Sequence, residues 1–95
     1  MSTRPQAIGT KLEETERVII TEWRFPPGAE TRLHRHTLPY VVVYLTDAQH
    51  VVEAGGDRKQ VSVKAGASYS RPAGIEHNVI NSGEHEVVLI ETELK

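Results

Sequence analysis

The sequence predicts an all-β fold, built as a sandwich or a barrel. Runs rich in β-branched and aromatic residues alternate with turn signals along most of the 95 residues, which is typical of many short strands at regular spacing. Residues 11–17 (KLEETER) have a helix-favouring composition but no apolar face. A helix there would have no surface to bury against a core.

Turn signals divide the chain into its predicted strands. The segments PPG (26–28), AGGD (54–57) and NSGE (81–84) are rich in the residues that tight turns require. The second of these is a hairpin signal. The predicted strands are residues 17–25, 31–36, 40–45, 50–53, 59–63, 67–71, 77–81 and 86–93.

Length and composition predict one domain over residues 1–95, with residues 1–16 as an N-terminal extension. The chain has no cysteine, so it can form neither disulfides nor thiolate metal sites, which suits a cytoplasmic location. A net charge of −2 without a basic cluster argues against nucleic-acid binding. The polar N-terminus and short apolar runs predict no membrane segment.

Two histidines separated by one residue, His34 and His36, predict a metal site on a strand. Residues two apart in a strand point to the same face with Cα atoms about 6.5 Å apart, so both imidazoles can reach one ion at about 2.1 Å. In a helix the same spacing turns the rings about 200° apart. Arg35, between them, is expected to point away from the metal.

A third histidine, His77, follows a glycine- and proline-containing segment. Pro72 has no N–H to donate to a strand ladder, and Gly74 permits backbone angles that other residues avoid. A tight turn is expected here, and it would bring His77 opposite the His34/His36 pair.

Two segments of the chain resemble the motifs of the cupin family. Gly28, His34 and His36 resemble the first motif, and GASYSRPAGIEHNVIN (66–81) resembles the second at every defined position. The resemblance implies a single-domain cupin, a jelly-roll β-barrel also described as a double-stranded β-helix. It also implies a divalent metal ion bound inside by His34, His36 and His77. Three imidazoles suit iron(II), zinc, nickel or copper, and the resemblance adds manganese.

The chain departs from the first motif at the glutamate expected three or four residues after His36, where Tyr40 and Val41 stand. Three neutral imidazoles would leave the charge of the metal uncompensated and several positions open. We therefore expect a small anionic ligand. By strand alternation Tyr40 shares a face with the histidines. It is a core residue, a hydrogen-bond donor that positions the metal-bound ligand in a catalytic role, or a direct phenolate ligand, the least favoured of the three.

Other polar residues have two interpretations each. Arg71, before Pro72 near the rim, is a candidate for binding an anionic substrate or a solvated charge. His50 and His85 lie outside the motifs and are expected to be exposed. Asn81 is expected to fix the backbone of the last turn. No carboxylate can be placed in the pocket from sequence, so no general base is predicted, which makes hydrolysis less favoured.

Three functions remain open. The first is a metal-dependent, dioxygenase-like enzyme acting on a small anionic metabolite. The second is an isomerase, decarboxylase or lyase that uses the metal as a Lewis acid, and the third is a non-catalytic ligand-binding module, with or without metal. The segment TEWRFPPGAETRLHRH (21–36) resembles small cupins linked to β-alanine catabolism. The resemblance also implies a homodimer, for which residues 17–25 are a candidate edge strand.

Overall fold

The computed structural model describes residues 3–95, which form nine β-strands and no helix. The strands are antiparallel throughout and build a jelly-roll barrel, so the predicted fold class is confirmed. In chain order they are β1 (Ile8–Glu14), β2 (Val18–Phe25), β3 (His34–Arg35), β4 (Tyr40–Tyr44), β5 (Ala48–Ala54), β6 (Asp57–Val63), β7 (Ser68–Arg71), β8 (Glu76–Asn81) and β9 (Val87–Leu94).

Two sheets enclose the interior. The larger has the order β1-β2-β9-β4-β7, and the smaller has the order β3-β8-β5-β6. Their inner faces share a core that combines aliphatic side chains with the rings of Phe25, Tyr40 and Tyr44. Burial of this apolar surface from both sheets is the main force that closes the barrel.

The helix-favouring segment 11–17 is not helical. Its first four residues belong to β1, which pairs with β2 from Ile8 opposite Arg24 to Glu14 opposite Ile19, with a bulge between Lys11 and Glu13. Backbone pairing with β2 overrides the local propensity of this charged segment. The N-terminal extension therefore contains a strand, β1, and its residues 1 and 2 lie outside the described part of the chain.

The predicted edge strand, residues 17–25, is not at an edge. This segment, β2, has β1 on one side and β9 on the other. The edge of the larger sheet on this side is β1, which is exposed along its whole length. The prediction failed because β1 was not recognised as a strand.

The strand that carries the first histidine pair is shorter than predicted. Residues 31–36 were expected to be extended, but only His34 and Arg35 pair with β8. Arg32 adopts a positive φ of 73°, a left-handed conformation that interrupts a strand.

Two rows of cross-strand neighbours on β7, β4 and β9 line the interior on the larger sheet. In the upper row, Tyr40 on β4 lies between Arg71 on β7 and Glu93 on β9. In the next row, Val42 lies between Tyr69 and Glu91. All six residues line the interior cavity. The larger sheet therefore presents an acidic side on β9 and a basic side on β7 to the same space.

Candidate metal centre

The three histidines predicted from the sequence meet at one point. His34 and His77 face each other across β3 and β8. The backbone of His36 is held by hydrogen bonds with Ile75 and Gly74, in the turn before β8. The Nε2 atom of His36 is 2.9 Å from that of His34 and 3.1 Å from that of His77.

These distances fit a metal ion better than they fit hydrogen bonds. Two nitrogens that bind one ion at about 2.1 Å and at right angles are about 3.0 Å apart. A ring nitrogen has one in-plane position, for either a proton or a lone pair, so the Nε2 of His36 cannot make two good hydrogen bonds at once. Three convergent Nε2 atoms are therefore suited to binding one cation.

Hydrogen bonding fixes which nitrogen of His34 faces the centre. Its Nδ1 lies 2.9 Å from the carbonyl oxygen of Arg32, and a carbonyl oxygen can only accept. The proton is therefore on Nδ1, and the Nε2 lone pair is free for a metal. The left-handed conformation of Arg32 lies directly at this carbonyl, an example of backbone strain beside a functional group.

Burial keeps two of the rings neutral. It lowers the pKa of His36 to about 4, with a further contribution from the charge of His34. It also lowers the pKa of His77 to about 4, with the charges of His34, His36 and Arg71 adding to the effect. Both imidazoles are uncharged near neutral pH and need not lose a proton to bind a metal.

Two carboxylates that the sequence did not place accompany the histidines. Glu91 and Glu93 on β9 line the cavity, and both have an oxygen close to the His36 ring. Burial, followed by the charge of Glu93, raises the pKa of Glu91 to about 7, against a hydrogen bond from Trp23 that lowers it. These two carboxylates are therefore candidate bases that could not be placed from the sequence, and in their ionised form they would partly compensate the charge of a metal.

The alternation of side chains along β9 was an ambiguous signal for these carboxylates. Glu91 and Glu93 share strand parity with Leu89, whereas Ile90 and Thr92 point to the other face. Because residues 87–90 are all apolar, the sequence does not reveal which parity faces the interior.

Tyr40 packs against a histidine of the centre. Its ring is stacked on the His36 imidazole, with centroids 3.9 Å apart and an interplanar angle of 20°. The side chain is 2 % exposed, and its hydroxyl has no hydrogen-bond partner among the described residues. Burial raises its pKa to about 12, so the phenol stays protonated at physiological pH. The geometry favours the packing interpretation of Tyr40 over phenolate ligation.

Arg71 lies at the cavity wall next to a second tyrosine. Its guanidinium carbon is 4.5 Å from the centroid of the Tyr69 ring, a cation–π contact. Its Nη1 donates a hydrogen bond to the carbonyl of Ser70, and the residue is exposed. This position is compatible with binding an anionic group at the mouth of the cavity.

His50 is buried, and the expectation that it is exposed is wrong. The residue is 1 % exposed, and its Nε2 lies 2.7 Å from the Tyr44 hydroxyl. Burial lowers its pKa to about 4. His50 pairs with Val61 on one side and Asn81 on the other, so β5 is a central strand of its sheet and its inward side chains are covered.

His85 is exposed and Asn81 is structural, as expected. Arg35 is also exposed but lines the cavity, so its orientation away from the metal stays a prediction. The Nδ2 of Asn81 donates to the carbonyls of Phe25, Pro26 and His85, while its Oδ1 accepts from the N–H of Gly83. Asn81 thus ties two turns to the end of β8, as expected of a structural residue.

The cavity next to the metal centre has a volume of about 570 Å³, within the range of small-molecule sites. Apolar residues from both sheets form most of its wall, including Val42, Val52, Val61 and Leu89. The three histidines, Arg71, Glu91 and Glu93 are among its polar lining residues. This arrangement of an apolar wall with a few convergent polar groups is typical of a ligand-binding site.

A barrel of two antiparallel sheets with three histidines in this arrangement defines the cupin class. The chain belongs to the cupin family, since the family model described as a cupin domain matches residues 21–93.

The relatives include a curated protein and several solved structures. The beta-alanine degradation protein BauB of Pseudomonas aeruginosa is 53 % identical over the full length of both chains. A crystal structure of a cupin domain from Bordetella pertussis is 46 % identical, with a TM-score of 0.95, and the match covers 100 % of this chain and 99 % of the other. A double-stranded β-helix protein from Klebsiella pneumoniae, 19 % identical with a TM-score of 0.79, shares the fold over 99 % of this chain and 81 % of its own.

No helix in the described part of the chain, residues 3–95, is long and apolar enough to cross a membrane.

Proposed function

We propose that this protein is a metal-dependent enzyme in which His34, His36 and His77 bind one divalent transition-metal ion. The observation that carries the proposal is the convergence of three Nε2 atoms at the separations of 2.9 and 3.1 Å. The neutral state of the buried rings supports it, because a neutral imidazole is the form that binds metal. Three protein ligands leave positions for a substrate, as in catalytic sites.

A bound ion of this kind supplies Lewis acidity, and iron(II) adds redox chemistry with molecular oxygen. The residues of the chain supply the rest. Tyr40 and the carbonyl of Arg32 hold two of the rings in place, and the apolar wall of the cavity excludes water from the reacting groups.

The substrate proposed is a small anionic metabolite. Arg71 at the cavity wall binds its charged group, and an ion held by the three histidines would bind an oxygen at the other end of the molecule. The curated relative that is 53 % identical is named for β-alanine degradation. We therefore propose a small carboxylic acid from that degradation chemistry as the ligand.

The reaction proposed first is dioxygenase-like. Imidazole ligands suit iron(II) as well as zinc, copper and nickel, and iron(II) held by the three histidines would supply the redox chemistry that this reaction needs. Oxygen uptake tests this, using protein loaded with iron(II) or with zinc and incubated with 3-oxo acids and other small β-dicarbonyl acids. Uptake that requires both iron and one of these acids is expected. Equal turnover with zinc under anaerobic conditions would contradict oxygen chemistry.

A Lewis-acid reaction is the second candidate, as an isomerase, decarboxylase or lyase. The presence of Glu91 and Glu93 in the cavity favours it, because a carboxylate next to a bound substrate can accept a proton from carbon. In this case zinc-loaded protein converts the substrate without oxygen, and substrate deuterium is lost to water. Retention of the deuterium through turnover would exclude this role for the carboxylates.

A further inference from the structure

We propose that Glu91 replaces the carboxylate that the first cupin motif lacks in this chain, as a positioning residue that acts on the metal through the His36 imidazole. The inference rests on the proposed metal site. In this arrangement Glu91 accepts a hydrogen bond from the Nδ1–H of the ring and does not bind the ion itself.

The position of Glu91 relative to the ring supports this role. Its Oε2 lies 4.0 Å from the Nδ1 of His36, and both side chains are largely buried, at 13 % and 6 % exposure. The other nitrogen of the same ring, Nε2, points to His34 and His77. The imidazole therefore stands between the carboxylate and the place where the three Nε2 atoms converge.

Trp23 is a neighbour of Glu91 on the inner face of the larger sheet. In the ladder between β2 and β9, Trp23 pairs with Leu89, two residues before Glu91, which makes Trp23 and Glu91 diagonal neighbours. The indole N–H, which can only donate, lies close enough to Glu91 to lower the pKa of its carboxyl. Glu91 thus has a neighbouring donor in Trp23 as well as the ring of His36.

A carboxylate in this position has two physical effects on a metal ligand. The 4.0 Å between Oε2 and Nδ1 is an ion-pair separation and not a hydrogen bond, so we propose that the Glu91 side chain shifts toward the ring when a metal is bound. It then accepts a hydrogen bond from Nδ1–H, which leaves the lone pair on Nε2 and fixes the orientation of the ring. It also places a negative charge near the ion, which offsets part of the cost of holding a cation among neutral ligands. The first effect is the one that the Arg32 carbonyl has on His34, where it accepts a hydrogen bond from Nδ1 and so leaves Nε2 free for a metal.

The test compares cobalt(II) binding by three full-length proteins: the wild type, Glu91→Gln and Glu22→Gln. Glu22 is on the adjacent strand β2, pairs with Ile90 and therefore faces outward, so its variant is a matched loss of one carboxylate. Affinity is measured by competition with a chelator, and the visible spectrum of cobalt reports the ligand set. The fluorescence of Trp23, the only tryptophan of the chain, reports the same event from the wall of the site. Thermal unfolding confirms that each protein is folded.

We expect Glu91→Gln to bind one cobalt ion with roughly 10- to 100-fold lower affinity, and Glu22→Gln to remain within about twofold of the wild type. Trp23→Phe keeps the Glu91 carboxylate but removes the neighbouring indole N–H, and it should weaken cobalt binding by a smaller factor. Because Gln keeps the volume of Glu, a loss in affinity without a loss of thermal stability marks an effect on the metal and not on packing.

Two results overturn the proposal. Equal cobalt affinity in Glu91→Gln and the wild type would show that the carboxylate does not act on the site. Loss of binding as complete as in His36→Ala, with a changed coordination number in the spectrum, would show that Glu91 is a direct ligand. If the wild-type chain itself binds no cobalt, the proposed function fails as well, so the two failures are distinguishable.

Discussion

The ring of Tyr40 lies flat against the imidazole of His36, 3.9 Å away between centroids. The contact gives the ring of His36 a rigid support on the face that Tyr40 covers, while its two nitrogens remain free for polar partners. The Tyr40 hydroxyl, by contrast, is buried without a partner among the described residues. The aromatic ring and the hydroxyl of this residue therefore make separable contributions.

Removing only the hydroxyl should do no harm. In Tyr40→Phe the stacked ring is kept and an unpaired buried polar group is lost, which we expect to leave metal affinity unchanged and to increase the free energy of unfolding by up to about 1 kcal/mol. Tyr40→Leu should weaken metal binding and lower stability by about 1–3 kcal/mol. Urea unfolding and metal titration measure both effects. If Tyr40→Phe abolishes turnover while binding metal normally, the hydroxyl has the catalytic role that the sequence left open.

The metal-free protein should lose stability as the solution becomes acidic. The buried histidines His36, His50 and His77 have pKa values of about 4, below their ordinary value of 6.5. Between these pH values the unfolded chain binds more protons, so their contribution is complete above about pH 6.5 and is lost as the pH falls toward 4. Glu91 acts in the opposite direction, because its raised pKa of about 7 favours the folded state below the ordinary value of 4.5 and less so as the pH rises to 7.

The variant His50→Gln isolates one of these groups. It keeps a polar partner for Tyr44 but removes a titratable ring, so the loss of stability between pH 7.5 and 5 should shrink by on the order of 2 kcal/mol relative to the wild type. His85→Gln, at an exposed position, is the control. Urea titrations at the two pH values provide the measurement. An unchanged pH dependence in His50→Gln would show that His50 is already protonated, or accessible to water, in the folded protein.

Gly9 should tolerate no side chain. An added Cβ would lie 2.8 Å from the Cη2 atom of the Trp23 ring, closer than such atoms approach one another. We expect Gly9→Val to displace this ring, to lower stability by about 1–3 kcal/mol and to change the tryptophan fluorescence. Thr10→Val, at the next residue of the same strand, controls for the presence of a valine side chain in β1. Identical fluorescence and stability in Gly9→Val and the wild type would contradict the described packing of β1 on Trp23.

We propose that the protein forms a homodimer. The outer face of the larger sheet carries exposed apolar residues, among them Val43 and Leu94, at 38 % and 40 % exposure. Apolar sheet faces of this kind often mark contacts between chains. Light scattering should give a mass of about twice 10.6 kDa, and Val43→Lys should shift it toward the single-chain value. A mass of 10.6 kDa for the wild type at micromolar concentration would contradict the dimer.

The parts of this structure that were predictable from the sequence depend on local spacing. Residues two apart in a strand share a face whatever the rest of the fold does, and this is why His34 and His36 were recognisable. The turn chemistry of Pro72 and Gly74 likewise placed His77. These rules, with the alternation of strands and turns, were sufficient for an all-β sandwich or barrel, and the resemblance to the cupin motifs supplied the jelly-roll fold and the set of three histidines.

The parts that could not be predicted depend on which strands become neighbours. Residues 11–14 are extended because β2 supplies their hydrogen bonds, and His50 is buried because β6 and β8 flank its strand. Glu91 reaches the centre because β9 lies next to β4 in the sheet. None of these pairings is encoded in a short window of sequence.

The central claim, that three histidines bind one divalent ion, is tested most directly by elemental analysis. Protein purified without added metal, and then equilibrated with iron(II) or zinc and dialysed, is compared with His34→Ala and His77→Ala, with His85→Ala as a folded control at an exposed histidine. We predict about one ion per chain in the wild type and in His85→Ala, and a loss of most of the bound metal in the other two variants. Equal, substoichiometric metal in all four proteins would contradict the account.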